Sequence, residues 1–124
     1  MAEKQEKILY MCTHASDNPE KAAMPFVMAN AALAMDIQVV VALQGPAVYL
    51  ALKGYIEKMV PPGGFPAMEK LVKDFLELGG ELRVCVPCMK TRNIADDELV
   101  ENAKTVAAGE LTVISLEADA VFTY

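Results

Sequence analysis

Residues 68–92 read MEKLVKDFLELGGELRVCVPCMKTR and combine a helix, a turn and a strand in one short stretch. Charged residues fill one side of the predicted helix, and apolar residues recur at helical spacing on the other. The apolar positions are Met68, Leu71, Val72, Phe75 and Leu76. Gly79-Gly80 then ends the helix, because glycine readily adopts the left-handed conformation that follows many helices. Residues 81–86 form a β-like run, so a helix leads directly into a strand, which is typical of α/β proteins.

Strands and helices alternate along the rest of the chain as well. Asn18-Pro19 offers an N-cap acceptor followed by proline at the first helical position. A long, almost wholly apolar helix is therefore predicted from there to about residue 35. Four further strands are predicted at residues 7–13, 37–43, 105–108 and 120–124, with another helix at 109–117. This order predicts five strands in a parallel sheet, covered by helices on both faces.

Composition limits the classes of function. The 124 residues suit one domain, residues 1–124, and the net charge of −6 with no basic cluster argues against nucleic acid as a partner. The charged N-terminus is followed by an apolar run too short for a secretory signal, and no uncharged run is long enough to span a bilayer. We therefore expect a cytoplasmic protein with no membrane span.

The thiols at Cys85 and Cys88 have C-x-x-C spacing and follow the predicted strand 81–86. Lys90 and Arg92 are close in sequence, and such cations favour thiolate, the nucleophilic form, over thiol. Cys85 and Cys88 are therefore candidate reactive residues. The spacing is equally compatible with a buried, inert pair, with half of a zinc site or with dithiol–disulfide exchange.

Other chemically capable residues follow neighbouring strands. Ligands bind at the carboxyl ends of parallel strands, and Cys12, His14 and Gln44-Gly45 are predicted at that edge together with the C-x-x-C. His14, the only histidine, could act as a base or proton donor for Cys85, or could be an ordinary loop residue. Cys12 is closer to the strand body, which favours a buried role. The four Cys and His side chains also form a possible zinc set, while no cofactor motif is present.

Three segments, in this order, carry a family resemblance: residues 17–23 (DNPEKAA), 85–94 (CVPCMKTRNI) and 117–124 (EADAVFTY). Together with the helix that ends at Gly79-Gly80, they make nearly the whole chain resemble the DsrE/DsrF-like sulfur-relay family. The resemblance implies a three-layer α/β/α sandwich around a five-stranded, mostly parallel sheet, usually assembled as trimers or hexamers.

The resemblance also implies a role for individual residues. Some family members carry persulfide sulfur on a cysteine at the end of the third strand, and Cys85 matches that position. Arg92 matches the arginine of a following Arg-Gly pair, whereas Asn93 stands where glycine is usual. Asparagine tolerates left-handed backbone angles better than most residues do. The simplest members of the family have no cysteine at the position of Cys88.

These observations lead to one functional hypothesis and two alternatives. We expect a sulfur carrier or sulfurtransferase that loads Cys85 and passes sulfur to the thiol of a partner protein, with Arg92 and Lys90 stabilising the anion and His14 donating a proton. The alternatives are a non-catalytic module that binds a small ligand or zinc, and a C-x-x-C redox protein. The apolar content of 54% is high, so we also expect a homo-oligomer that uses the first helix and the segment after Gly45.

Overall fold

The computed structural model describes residues 5–124 and contains five strands and four α-helices in that part of the chain. The strands are β1 (Lys7–Cys12), β2 (Gln38–Leu43), β3 (Glu81–Cys85), β4 (Ala103–Val106) and β5 (Ala120–Thr123). The helices are α1 (Pro19–Ala34), α2 (Met68–Glu77), α3 (Val86–Thr91) and α4 (Ala108–Glu117). Residues 1–4, part of the N-terminus used in the argument about a secretory signal, lie outside the described residues.

All neighbouring strands are parallel, and their order in the sheet is β4-β3-β2-β1-β5. The α/β class and the five strands are therefore confirmed, and the sheet is wholly parallel. Most element boundaries agree with the sequence prediction to within two residues. The sequence also predicts a short helix capped by Asp96 or Asp97 and extending to about Asn102, but the structure has a 3₁₀ turn at Asp96–Glu98 there. β4 begins two residues earlier than expected.

The start of α1 follows from the Asn18-Pro19 pair. The Asn18 side chain accepts a hydrogen bond of 3.1 Å from the Lys21 amide, and Pro19 occupies the first turn, where no intrahelical donor is needed. The helix continues through Pro25 to Ala34. Its inner side consists largely of alanine, which lets the helix lie close to β1 and β2.

The two faces of the sheet are covered unequally. On one face α1, α2 and a 3₁₀ segment, Gly45–Ala51, enclose the larger core, in which Phe26 and Phe75 meet edge to face at 5.4 Å. On the other face α4 covers a small cluster made of Leu9, Ala42, Val106 and Leu111. The described residues therefore form three layers, of which the α4 layer is thin.

This arrangement corrects one expectation about exposed surface. The segment after Gly45 is buried in the chain's own core, where Ala47, Val48, Leu50 and Ala51 are each at most 1% exposed. Large exposed apolar side chains are found on α4 and β5, namely Val113, Leu116, Val121 and Phe122, and also at the first helix, with Met28 on α1 and Met35 at its C-terminal end. In residues 5–124 no helix combines the length and apolar character needed to cross a membrane.

Candidate functional site

Cys85 is the last residue of β3 and immediately precedes α3. Its backbone is extended (φ −64°, ψ 119°), so the alternation of the strand continues to this residue. Arg83 pairs with Ala42, which belongs to the α4-side cluster, and Cys85, two residues further, lies on that same side. The strand thus directs the Cys85 thiol toward α4.

A cavity of about 270 Å³ lies next to the thiol. It is bounded by the carboxyl ends of the strands and by the first turns of α4. The residues that line it are Met11, Gln44, Cys85, Pro87, Val106, Ala107, Ala108, Leu111, Thr112 and Ser115. No lysine, arginine, aspartate or glutamate is among them, so the walls beside the Cys85 sulfur are uncharged. A small molecule or a partner's thiol can approach Cys85 through this cavity.

The pKa of Cys85 is raised above the ordinary value of a cysteine thiol. Burial is the main cause, and a hydrogen bond with the Cys88 side chain raises the pKa further. The Cys88 amide and Arg92 act in the opposite direction but have smaller effects. The expectation that cations make Cys85 a ready thiolate is therefore wrong, because the desolvation of a half-buried sulfur outweighs them.

Cys88 lies in the first turn of α3 and is held by the neighbouring strand end. The Gly45 amide donates a hydrogen bond of 3.2 Å to its Sγ. Gly45 has φ +55°, a left-handed conformation that glycine adopts without strain. The turn after β2 is thereby shaped to place a backbone donor against the Cys88 sulfur.

Arg92 holds α3 in place instead of lining the cavity. Its guanidinium donates to the Cys88 carbonyl oxygen at 3.1 Å and lies over the Tyr49 ring at 5.9 Å from the centroid. Tyr49 in turn stacks on Tyr55. Arg92 therefore acts on Cys85 from a distance, as a positive charge that lowers its pKa slightly. Lys90 does not line the cavity.

The turn after α3 confirms the expectation for Asn93. Its φ is +55°, which is in the left-handed region. The family members described above usually have a glycine at this position. The Asn93 amide donates to the Lys90 carbonyl and the Ile94 amide to the Met89 carbonyl, at 3.1 and 3.0 Å. This pair of bonds is a Schellman motif, which satisfies the last carbonyl groups of the helix.

The structure does not bring His14 to the cysteines. Its Nδ1 lies 2.7 Å from Asp17 Oδ2, and among residues 5–124 no hydrogen bond joins it to Cys85 or Cys88. The pKa of Asp17 is lowered, first by the Ala15 amide and then by His14. Because β2 separates β1 from β3, the two strand ends are about 10 Å apart. His14 is therefore not in position to exchange a proton with Cys85.

Cys12 is buried in the larger core with no exposed surface, as its place in the strand predicts. Burial raises its pKa to about 12. Within the described chain, residues 5–124, no group of three or more Cys, His, Asp or Glu side chains is arranged to hold a metal ion. The zinc set suggested by Cys12, His14, Cys85 and Cys88 is thus not assembled, because β2 lies between the two pairs.

Gln44 is the neighbour of Cys85 that the sequence alone does not identify. The register of β2 and β3 ends with Leu43 opposite Val84, and the next residue of each chain segment, Gln44 and Cys85, lines the same cavity. The Gln44 backbone is still extended (φ −127°, ψ 156°), which directs its side chain to the α4 side. The sequence places Gln44 at the right edge, but only the strand register puts it beside the sulfur.

Comparison with known proteins agrees with this architecture. Two uncharacterized proteins of Methanocaldococcus jannaschii are similar in sequence. MJ0989 is 31% identical over 118 residues, covering 95% of this chain and 99% of that protein. MJ0760 is 31% identical over 105 residues, covering 85% of this chain but 38% of that protein.

Two solved structures are similar in fold. YchN from E. coli superposes with a TM-score of 0.80 at 20% identity, covering 97% of this chain and all of that one. MTH1491 from Methanobacterium thermoautotrophicum, described as a protein of unknown function, gives 0.71 at 10% identity, covering 98% of this chain and all of that one. A family model matches residues 6–124, and this chain belongs to the DsrE/DsrF-like family.

Proposed function

We propose that the protein is a sulfur carrier that accepts sulfane sulfur on Cys85 and passes it to the thiol of a partner protein. Membership in a family linked to sulfur relay supports this function in general terms. The observation that carries the proposal is the position of Cys85, whose half-buried thiol ends β3 at an open cavity.

Loading is a thiol exchange in which the outer sulfur of a donor R–S–SH moves to Cys85. The Cys85 thiolate attacks that sulfur, a new S–S bond forms at Cys85 Sγ, and the donor S–S bond breaks to release R–S⁻. Unloading is the reverse reaction with a partner thiolate, which takes the outer sulfur and leaves the Cys85 thiolate. No oxidant or reductant is consumed in either step.

The surroundings of Cys85 suit a persulfide better than a free thiolate. The raised pKa keeps the free thiol mostly protonated at neutral pH, which protects it from oxidation and alkylation. A persulfide is more acidic than a thiol, and its outer sulfur extends into the cavity, away from the burial that disfavours charge. The Cys88 amide and Arg92, which lower the pKa of the free thiol, would also favour the persulfide anion, whose charge lies on the outer sulfur.

Cys88 can resolve the loaded state. Its thiolate would attack the inner sulfur of Cys85–S–SH, form a Cys85–Cys88 disulfide and release HS⁻. The Cys85–Cys88 pair also favours a second candidate function, dithiol–disulfide exchange, since the two side chains already interact.

His14 has no part in the proposal, because its ring is engaged with Asp17.

The test is incubation of the reduced protein with an uncharged low-molecular-weight persulfide, that of N-acetylcysteine amide, followed by intact mass measurement. We expect a mass gain of one or more sulfur atoms that dithiothreitol reverses, and no gain for Cys85→Ser. Cys12→Ala is the matched control and should load normally, because Cys12 is fully buried. Loss of two hydrogens in the wild type, together with no sulfur gain in Cys88→Ser, would support the dithiol function instead. Loading that persists in Cys85→Ser would contradict the proposal.

A further inference from the structure

The side chain beside the reactive sulfur is an amide. The register of β2 and β3 ends with Leu43 opposite Val84, and the next residues, Gln44 and Cys85, line the same cavity on one side of the sheet. Residues that continue two paired strands in this way have their Cβ atoms about 5 Å apart. A glutamine amide at that distance reaches the Cys85 sulfur or an atom bonded to it.

The Gln44 amide is free to bind a ligand. Its side chain makes no hydrogen bond within residues 5–124, although its backbone amide donates to the Cys12 carbonyl. The two hydroxyl groups that line the cavity are already engaged, since Thr112 donates to the Ala108 carbonyl and Ser115 to the Leu111 carbonyl, both at 2.9 Å. Gln44 therefore supplies the side-chain N–H donors of this cavity.

The cavity walls are otherwise uncharged and mostly apolar. On the α4 side, the Arg83 guanidinium is bound by Glu81 and Glu110 at 3.0 Å each and lies two residues before Cys85. The other nearby cation, Arg92, is directed to Tyr49 and the Cys88 carbonyl. A doubly charged anion that enters this cavity would lose hydration and would meet the first backbone amides of α4 but no cationic side chain, so the loss is only partly offset.

The volume limits only the part of the ligand next to the sulfur. The cavity of about 270 Å³ holds the sulfur atoms and the groups next to them, while the rest of a longer donor can extend through its open side. The charge of the groups near the sulfur, and not the length of the donor, therefore decides which donors fit.

From these observations we infer that the Cys85 cavity selects persulfides R–S–SH whose groups next to the sulfur are uncharged. Gln44 is the positioning residue that donates a hydrogen bond to the transferred sulfur, and thiosulfate is a poor donor. This inference rests on the proposed function and names its substrate class. Two sources offer the same chemistry: a small free persulfide, or a persulfidated cysteine with uncharged neighbours on a partner protein.

The first test compares donors on the wild-type protein by the rate of mass gain. The probes are the persulfide of N-acetylcysteine amide, the persulfide of a capped Gly-Gly-Cys-Gly-Gly peptide, glutathione persulfide and thiosulfate. We expect the two uncharged persulfides to load Cys85 at least about tenfold faster than the two charged donors. Faster loading from the peptide than from N-acetylcysteine amide identifies a protein-borne source, and the opposite order a free one. Equal rates for all four donors would overturn the inference.

The second test adds a charge to the cavity. Thr112 is exposed and lines the cavity, so Thr112→Lys should fold and should raise the thiosulfate rate about tenfold. Asn102→Lys adds the same charge at an exposed position before β4, at the opposite end of that strand, and should leave the rate unchanged. A similar gain in both variants, or in neither, would contradict the role of the uncharged walls.

The third test removes the donor. Gln44→Leu keeps a side chain of similar volume but removes its N–H donors. This substitution should slow the loading of Cys85 by N-acetylcysteine amide persulfide about tenfold. The variant's reaction with iodoacetamide should stay within about twofold of wild type, because alkylation depends on thiolate and access. Equal slowing of both reactions would show a structural role and overturn the assignment. Failure of every donor to load the wild type would instead reject the proposed function and the inference together.

Discussion

Two cysteines of this chain carry the same thiol in different surroundings. Cys12 lies within the larger core, with no exposed surface and a pKa raised to about 12. Cys85 is half-buried beside an open cavity, and its pKa is raised by burial and by Cys88. Accessibility, more than acidity, is therefore expected to make the two thiols differ in reactivity.

Alkylation should show this difference directly. In the native protein we expect iodoacetamide to modify Cys85 at least about tenfold faster than Cys12, because Cys12 is reached only after local unfolding. Peptide mapping after timed quenching measures the two rates. In urea that unfolds the chain, the rates should converge. Equal labelling of the two residues in the native state would refute the assignment of Cys85 as the accessible thiol.

The pH dependence of this reaction tests the direction of the pKa shift. An ordinary cysteine has a pKa near 8.5, and that of Cys85 is higher, so its thiolate fraction is small at pH 7 and grows with pH. The alkylation rate should therefore still be rising at pH 8.5. A rate that reaches a plateau near pH 7 would mean a depressed pKa and contradict the structure.

We expect Cys88 to remove the persulfide from Cys85 and not to take part in its formation. Cys88→Ser should keep sulfur loading on Cys85 and abolish the internal disulfide, so the persulfide should persist longer. Intact mass at successive times after loading measures its lifetime. Loss of loading in Cys88→Ser together with loading in Cys85→Ser would reverse the two roles.

At the scale of elements, the six-residue helix α3 depends on its two ends. It begins directly at the end of β3, with Pro87 in its first turn, and closes with the Schellman motif at Asn93. Ile94, which follows that turn, and Met89 within the helix both belong to the buried core. The helix that carries Cys88 is thus held by its termini, since six residues are too few for a stable isolated helix.

Substitutions at Asn93 should reveal this dependence. Asn93→Ala should lower the free energy of unfolding by about 1 kcal/mol, because alanine is strained at φ +55°. Asn93→Gly should cost little or stabilise, since glycine adopts this conformation freely. Urea denaturation measures both. Asn102→Ala is the control, because Asn102 has no positive φ, and a loss there equal to that of Asn93→Ala would contradict the explanation.

For the whole molecule, the exposed apolar surface indicates assembly. The larger core encloses the face covered by α1 and α2, whereas α4 buries only Leu111 and leaves Leu116 81% exposed and Val113 53% exposed. Val121 of β5, which pairs with Leu9 on the α4 side, is also exposed, whereas Phe122 faces the other side of the sheet, where it stacks on Tyr10. Such a patch on a small protein marks an interface more often than chance does. We therefore propose a homo-oligomer in which α4 and β5 are covered.

Light scattering at micromolar concentration tests this proposal. The wild type should have a mass that is a multiple of 13.4 kDa, with a trimer or hexamer implied by the family resemblance. Leu116→Glu should lower that mass. Val60→Glu alters a residue of similar exposure (72%) outside α1, α4 and β5 and should leave the assembly intact. A single 13.4 kDa species for the wild type would reject the proposal.

The amino-acid sequence by itself determined the elements and their class. Helical periodicity at residues 68–76, the Asn18-Pro19 cap, the Gly79-Gly80 stop and the apolar strand runs are all local signals, so they can be identified without knowing the fold. The same holds for the position of Cys85 at a strand end.

Only the tertiary structure decided which side chains meet. The sheet order separates His14 from Cys85, the strand register makes Gln44 the neighbour of Cys85, and the thin α4 layer leaves the cavity and the apolar patch open. The sign of the Cys85 pKa shift also required the structure, since it depends on burial and not on nearby sequence. These properties arise from contacts between residues distant in the chain, and local spacing carries no information about them.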